Sequence, residues 1–294
     1  MDITLIIAAM PAYNEGHAIA EVVRSCTKHV DKVVVIDDGS SDNTSEIAQS
    51  LGAFVVRHTK NLGYGAALKS CFNIARELDA DVMIVLDSDG QHNPDEIPKL
   101  ITPLKQGFDL VIGSRFIKDN GKNIPLYRKI GMKVLDIATY LAGGINVTDS
   151  QSGFRAYGKK AIEKIRFNGD DMSAGSEILI QVKSHKLKFT EVNIHCRYDI
   201  EDCSSQNPFL HGLRVLFCLF MNMFRGPLYY CAVPGILAIT IGFFTGFEFL
   251  WGFDYKGNLF PASVVFMILS TIIGILLIST GIILHLRSKT IYRS

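Results

Sequence analysis

Asp81-Val82-Met83-Ile84-Val85-Leu86-Asp87-Ser88-Asp89-Gly90-Gln91-His92 is the stretch whose reading decides the fold. Val82 to Leu86 are apolar without interruption and without helical spacing, the pattern of a strand buried on both faces of a parallel sheet. The run stops abruptly at acids, glycine and polar residues. Side chains two apart on a strand share a side, so Asp87 and Asp89 converge where the strand leaves its sheet. That is the edge at which open α/β sheets bind ligands. Two adjacent carboxylates repel unless a cation lies between them, and hard oxygen ligands with room for water suit Mg2+ or Mn2+. Such a cation would neutralise a diphosphate. Alone, Asp-x-Asp is also the sequence of a solvated turn, so the rest of the chain has to agree.

Upstream, Ile3 to Ala9 reads as a first core strand that breaks at Met10-Pro11-Ala12-Tyr13-Asn14-Glu15. Pro11 ends it, and Asn14 is placed to cap a helix carrying Ile19, Val22 and Val23. Asp31 to Ile36 is a second buried strand, ending in Asp37-Asp38-Gly39-Ser40-Ser41-Asp42, where Ser41 or Asp42 caps the next helix. Ala53 to Arg57 is a third, leading through Asn61-Leu62-Gly63-Tyr64-Gly65-Ala66 into a helix to Leu78. This alternation builds a parallel sheet with helices on both faces. Three strands thus end in acid-bearing loops, at Glu15, at Asp37/Asp38 and at Asp87/Asp89, all on one edge. An acid after the second strand is placed to accept hydrogen bonds from a ribose or a base. Gly63-x-Gly65 serves an anion or tight helix–strand packing equally well. The first turn lacks Gly-x-Gly-x-x-Gly, which speaks against a dehydrogenase.

With 294 residues there is room for one large or two modest domains, and a net charge of +1 argues against a nucleic-acid surface. Six cysteines are scattered without a Cys-x-x-Cys pair, as reduced structural thiols would be. Ile3 to Ala9 is too short for a signal peptide, with Asp2 ahead of it in place of a basic residue. Apolar content is concentrated at 208–286.

In this order, Pro11-x-Tyr13-Asn14-Glu15, Asp37-Asp38-Gly39-Ser40, Asn61-x-Gly63-x-Gly65 and Asp87-x-Asp89-Gly90-Gln91-His92 resemble the inverting family 2 glycosyltransferases. More narrowly, the chain is similar to the polyprenyl- and dolichyl-phosphate sugar transferases, over about the first 210 residues. Asp149-Ser150-Gln151-Ser152-Gly153-Phe154-Arg155 matches a further segment of that family, and Arg197-Tyr198-Asp199 to Ser204-Ser205 resembles its mobile loop. The resemblance implies a GT-A-like (Rossmann-like), mostly parallel α/β domain, which the apolar pattern below extends by an interfacial helix and a two-helix transmembrane hairpin. It implies Asp87, Asp89 and Gln91 at the metal, with Pro11, Tyr13, Glu15, Asp37, Asp38, Asp87, Ser88 and Arg197 at the nucleotide sugar. Arg115, Arg128 and Lys129 would meet the acceptor phosphate, and Asp89, Arg115 and Arg128 would carry catalysis. Two departures remove cations: Tyr64 stands where relatives often have Lys between the glycines, and Gln206 where many have Lys in the loop. Relatives also often have Ser one turn after the residue matching Arg128, where Gly131 and Met132 stand here.

Leu228 to Leu250 and Ala262 to Leu286 each supply the roughly 20 apolar residues that a membrane-crossing helix needs. Trp251 to Asn258 between them reads as a short interfacial turn, and Glu248 as interfacial. Arg214 and Arg225 precede the first span; Arg287, Lys289 and Arg293 follow the second, which puts both ends and the catalytic domain on the cytoplasmic face. Pro208 to Phe224 has the three-and-four spacing of a helix lying on the surface or docked on the soluble domain. The expected division is 1–207 catalytic, 208–226 interfacial, 227–287 membrane and 288–294 tail.

A nucleotide-sugar site held at a bilayer implies an acceptor confined there. The expected reaction moves a hexose from UDP-glucose or UDP-N-acetylglucosamine to dolichyl or polyprenyl phosphate, with inversion. GDP-mannose is the alternative donor, and a non-catalytic nucleotide-sugar binding subunit the non-enzyme alternative. Transfer to a hydroxyl is disfavoured, since no separate catalytic Asp or Gln-x-x-Arg-Trp motif is evident. A homo-oligomer stays open.

Overall fold

The apolar runs become strands of one sheet: β1 (Ile6–Ala12), β2 (Lys32–Asp37), β3 (Phe54–Arg57), β4 (Val82–Val85), β5 (Leu110–Ser114), β6 (Arg155–Gly158) and β7 (Phe189–Asn193). The computed structural model describes residues 4–117, 126–166, 174–197, 227–256 and 261–291. It divides into two compact units, Met1–Leu219 and Phe220–Ser294. In the first, the sheet order is β3-β2-β1-β4-β6-β5-β7. β1 pairs in parallel with β2 and β4, β2 with β3, and β5 with β7. Only β6 runs the other way, wedged between β4 and β5. Its sequence, Arg155-Ala156-Tyr157-Gly158, has no apolar run of its own and becomes a strand because both neighbours offer unpaired backbone.

Around the sheet lie α1 (Ile19–Cys26), α2 (Thr44–Ser50), α3 (Tyr64–Glu77), α4 (Ile97–Lys105), α5 (Leu126–Gly143), α6 (Lys159–Lys164) and α7 (Ala174–Ser184). Strand residues alternate between two cores, as a period of two requires. Ile7, Ala9, Met83 and Val85 face a core with Leu68 and Phe72 of α3 and Ile178 of α7. Ala8, Met10, Val82 and Ile84 face the other, with Val22 of α1 and Leu100 of α4. By the same parity, Asp87 continues the α3 side of β4.

Two expectations are corrected. β1 does not stop at Pro11 but runs to Ala12, with Pro11 opposite Ile36 of β2. The Pro11 carbonyl points the other way and accepts from Ser88 Oγ at 2.8 Å. The missing Pro11 N–H therefore lies where β4 has already ended, and no ladder bond is lost. Asn14 does not cap α1, which starts at Ile19 behind an uncapped Ala18. With φ of 57°, Asn14 staples two loops instead: its N–H donates to Ser40 Oγ (2.9 Å) and its Oδ1 accepts from Ser41 N–H (2.8 Å). Nor is Ser41 or Asp42 the cap of α2: that position falls to Asn43, which makes no side-chain cap bond, while Asp42, one residue earlier, accepts from Thr44 N–H at 3.1 Å.

The second unit contains α8 (Pro227–Lys256) and α9 (Pro261–Ile291). Within them, Tyr230–Glu248 and Ser263–Leu284 are long and apolar enough to cross a bilayer. Trp251 to Lys256 is helical, not the expected turn, since this stretch contains no proline to break the helix. Small residues bring the two helices together. A Cβ on Gly235 would sit 2.8 Å from the Gly274 carbonyl oxygen, and one on Gly274 2.6 Å from that of Gly235. Ser270 Oγ donates across to the Ala238 carbonyl, while Tyr230, Leu237, Phe243 and Leu276 point outward. Close backbone approach through small residues is how helices associate where burial from water gives no drive. The expected interfacial helix at 208–226, the loop residues 198–206 and the tail 292–294 lie outside the described residues.

Candidate active site

The loops after β1 and β2 are laced together. Glu15 N–H donates to Thr44 Oγ1 and Gly16 N–H to Asp42 Oδ2, both at 2.9 Å. Gly39 has φ of 76°, and a Cβ there would lie 2.5 Å from the Lys60 carbonyl carbon. Only glycine fits that approach. Asp37 is fully buried. It accepts from Ser40 N–H (2.8 Å) and from Ser45 Oγ, with Arg57 Nε at 3.4 Å. Asp38, 4 % exposed, accepts from Leu62 N–H (2.9 Å) and Gly63 N–H (2.8 Å) and pairs with His58 Nδ1 at 2.6 Å. Both acids after the second strand thus hold the 58–63 loop and the β2 turn. Ser88 is likewise turned inward, onto Pro11.

Glu15, Asp87 and Asp89 are brought together. Burial, then the charges of Asp89, Asp87 and Asp42, push the Glu15 carboxyl up to about 7. Burial, then Asp87, raises Asp89 above the usual carboxylate range. Asp89 Oδ1 accepts from Gln91 N–H at 2.9 Å, which fixes the turn. Asp87 rests on Gly153, where a Cβ would lie 2.5 Å from Asp87 Oδ2. Buried His92 stands 3.6 Å from Asp87 Oδ2 through Nε2, and its ring packs on Phe154 at a centroid distance of 5.2 Å. Gly153 and Phe154 belong to the Asp149–Arg155 segment, so one short stretch supports the acid pair from behind.

A divalent cation bound between Asp87 and Asp89 would relieve the repulsion in this cluster. Among the described residues no three His, Cys, Asp or Glu side chains could hold a metal ion by themselves. The chain therefore offers two carboxylates on an open edge and leaves the other positions to a ligand and water. That arrangement suits Mg2+ or Mn2+ bound together with a substrate phosphate. The Gln91 side chain has a weak partner only, Cys196 Sγ at 3.7 Å from Oε1. Gln91 also ties the site to the segment before residue 198: its carbonyl accepts from Arg197 N–H at 2.9 Å, and His92 bridges Cys196. Exposed Arg197 is thereby anchored by its backbone beside the acid turn.

Arg115 closes β5 and grips buried Asp149 bidentately, Nε to Oδ2 at 2.6 Å and Nη2 to Oδ1 at 2.7 Å. No sequence signal pairs residues that far apart, although Asp149 opens the matched segment. Arg128 lies in the first turn of α5, its side chain outside the described residues, and Lys129 beside it is half-buried. A cavity of about 260 Å³ opens next to Asp87, between Tyr64 and Leu68 of α3, Gln151, Arg155 and Tyr157 of β6, and Gly175. Burial, then the Asp87 charge, holds the Tyr64 hydroxyl well above its ordinary range, so it stays a donor.

Residues 7–166 match the family described as Glycosyl transferase family 2. The chain is 34 % identical over 239 residues to a UDP-N-acetylglucosamine–dolichyl-phosphate N-acetylglucosaminyltransferase of Methanococcus voltae, covering 74 % of this chain and 95 % of that protein. It is 36 % identical over 203 residues to a dolichol-phosphate mannosyltransferase of Pyrococcus furiosus, covering 64 % of this chain and 54 % of the relative. A solved structure of glucosyl-3-phosphoglycerate synthase from Mycobacterium tuberculosis, in complex with Mn2+ and UDP-glucose, superposes with a TM-score of 0.57. At 22 % identity, over 74 % of this chain and 79 % of that one, it shows a shared fold. An acid-lined sheet edge inside the matched region, on a GT-A-like sheet, makes the chain a member of glycosyl transferase family 2.

Proposed function

We propose that this chain transfers a hexose from UDP-N-acetylglucosamine or UDP-glucose to the phosphate of a polyprenyl or dolichyl lipid, inverting the anomeric carbon. One observation carries the reading: a self-repelling cluster of Glu15, Asp87 and Asp89 at the sheet edge, in a chain that also holds two helices fit to cross a bilayer. The name of the Methanococcus relative supports the donor and the lipid class.

A lipid phosphate monoester has its second pKa near about 6, so its oxygen is already anionic at neutral pH and no strong general base is required. That oxygen attacks C1 in line, the new C1–O bond forms on the opposite face, and the bond from C1 to the nucleoside diphosphate breaks. Asp87 and Asp89, with Gln91, would hold Mg2+ or Mn2+, which supplies positive charge to the departing diphosphate. The chain's own work is to bring two anions together. Arg128 and Lys129, with Arg115 fixed by Asp149, would bind the acceptor phosphate, and Arg197 would clamp the diphosphate. Tyr13, 46 % exposed, offers a ring to the base beside Pro11 and Glu15. Asp37, Asp38 and Ser88 shape that pocket through their internal bonds. Residues 1–207 would supply the catalytic domain, and the two long apolar helices within 227–287 the membrane anchor. The catalytic domain would lie on the cytoplasmic face, a reading supported by the basic residues flanking both outer ends of the hairpin.

The test is full-length protein in nanodiscs with polyprenyl phosphate and labelled UDP-N-acetylglucosamine, UDP-glucose or GDP-mannose. The expected result is label in the lipid phase from a UDP donor, lost with chelator and with Asp89→Ala. Lipid label from GDP-mannose alone would overturn the donor. No lipid label from any donor would overturn the transfer.

A further inference from the structure

The cavity beside Asp87 is not needed for diphosphate, base or acceptor phosphate in the scheme above, yet it adjoins the acid that grips the donor. Its walls are of two kinds. Leu68 and the rings of Tyr64 and Tyr157 are apolar, while Asp87, Gln151 and Arg155 are polar. Arg155 is 3 % exposed and stands on carbonyls: Nε on Ser152 (2.8 Å), Nη1 on Gly175 (3.0 Å) and Nη2 on Ser150 (2.7 Å). A guanidinium has five N–H donors, and these three bonds leave donors for a ligand. Gln151 Nε2 is committed to Ser150 Oγ (3.0 Å) and Ser176 Oγ (3.4 Å), which leaves Oε1 as an acceptor. The Tyr64 hydroxyl has no hydrogen-bond partner among the described residues, and a phenol O–H donates.

We infer that this cavity receives the 2-acetamido group of the donor hexose, and that Tyr64 and Arg155 make the site selective for a 2-acetamido sugar over a 2-hydroxy sugar. The inference rests on the nucleotide-hexose reading above and chooses within it. An acetamido group has three parts, and the cavity meets each. Its carbonyl accepts from Tyr64 and a remaining Arg155 N–H, its N–H donates to Gln151 Oε1 or Asp87, and its methyl packs on Leu68 and Tyr157. A lone 2-hydroxyl fills none of the apolar wall and leaves buried donors unpaired, which a site built for hydrogen bonding rejects strongly. A flexible side chain at position 64 would not supply the rigid ring that Tyr64 gives this wall.

The test pairs a rate ratio with a direct contact measurement on the full-length protein in nanodiscs. Tyr64→Phe removes one donor. Gly175→Val fills the cavity, and its Cβ is tolerated, the nearest atom being Arg155 Nη2 at 3.4 Å. Wild type is expected to favour UDP-N-acetylglucosamine over UDP-glucose in kcat/KM by at least tenfold. Tyr64→Phe should lower that ratio about fivefold and Gly175→Val more than tenfold, through the KM of the acetamido donor. Saturation-transfer NMR should show the acetamido methyl in close contact with wild type and released in Gly175→Val. If lipid-linked sugar still forms but both ratios match wild type, the cavity assignment falls and the transferase reading stands. If the methyl contact is present and responds to Gly175→Val while no donor is transferred, the cavity assignment stands and the transferase reading falls.

Discussion

Binding of a divalent cation should expel a proton from Glu15. In the free protein its carboxyl sits at about 7 because it is buried against Asp89, Asp87 and Asp42. At pH 7 it is therefore protonated in about half of the molecules. A cation between Asp87 and Asp89 cancels their field and adds positive charge, so the Glu15 pKa falls towards its ordinary range and the proton leaves. The release from Glu15 should be about 0.5 proton per Mn2+ at pH 7, about 0.1 at pH 8 and about 0.9 at pH 6. Titration calorimetry with Mn2+ in PIPES, HEPES and Tris, at one pH, gives the number from the dependence of heat on buffer ionisation enthalpy. Glu15→Gln should remove most of the release at pH 7 while keeping Mn2+ binding. A buffer-independent heat at pH 7, or the same release at pH 6 and pH 8, would refute the reasoning.

Gly153→Ala should place a methyl 2.5 Å from Asp87 Oδ2 and push that carboxylate off its seat; calorimetry should show Mn2+ affinity reduced at least tenfold, with thermal unfolding little changed. Burial pushes the Asp136 carboxyl up to about 6, and its Oδ2 has no partner among the described residues while Oδ1 accepts from Ser150 N–H. The folded state binds the extra proton, so stability falls as pH rises from about 4 through 6. Asp136→Asn should be neutral at pH 4 and stabilising by about 1–3 kcal/mol at pH 8, read as a pH-dependent difference in melting temperature. In the second unit, Gly274→Leu should drive a side chain into the Gly235 carbonyl and Ile239; thermal melts in detergent should report a loss of about 1–3 kcal/mol, whereas Leu276→Ala on the outer face should cost less.

Much of the site was legible from the chain alone, since apolar runs mark strands and the residues that interrupt them mark loops. Asp87, Asp89 and Glu15 were found that way, because parallel strands must release their loops at one edge. Gly153 behind Asp87, Asp149 gripping Arg115 and the inward turn of Asp37, Asp38 and Ser88 were not. A carboxylate aimed at a ligand and one that accepts three backbone or side-chain donors have the same sequence signature. Which it is depends on partners tens of residues away.

The sequence by itself determined where the chain is buried on both faces, where it turns polar and where it is apolar long enough to cross a bilayer. Those properties depend on the residues taken in short windows and on the period of the backbone. Tertiary structure alone decided that Arg155-Ala156-Tyr157-Gly158 is an antiparallel strand, that β1 continues through Pro11, and that a cavity opens between Tyr64 and Arg155. Each of these needs two or three distant segments to meet, and the free energy that settles them belongs to the meeting, not to any one segment.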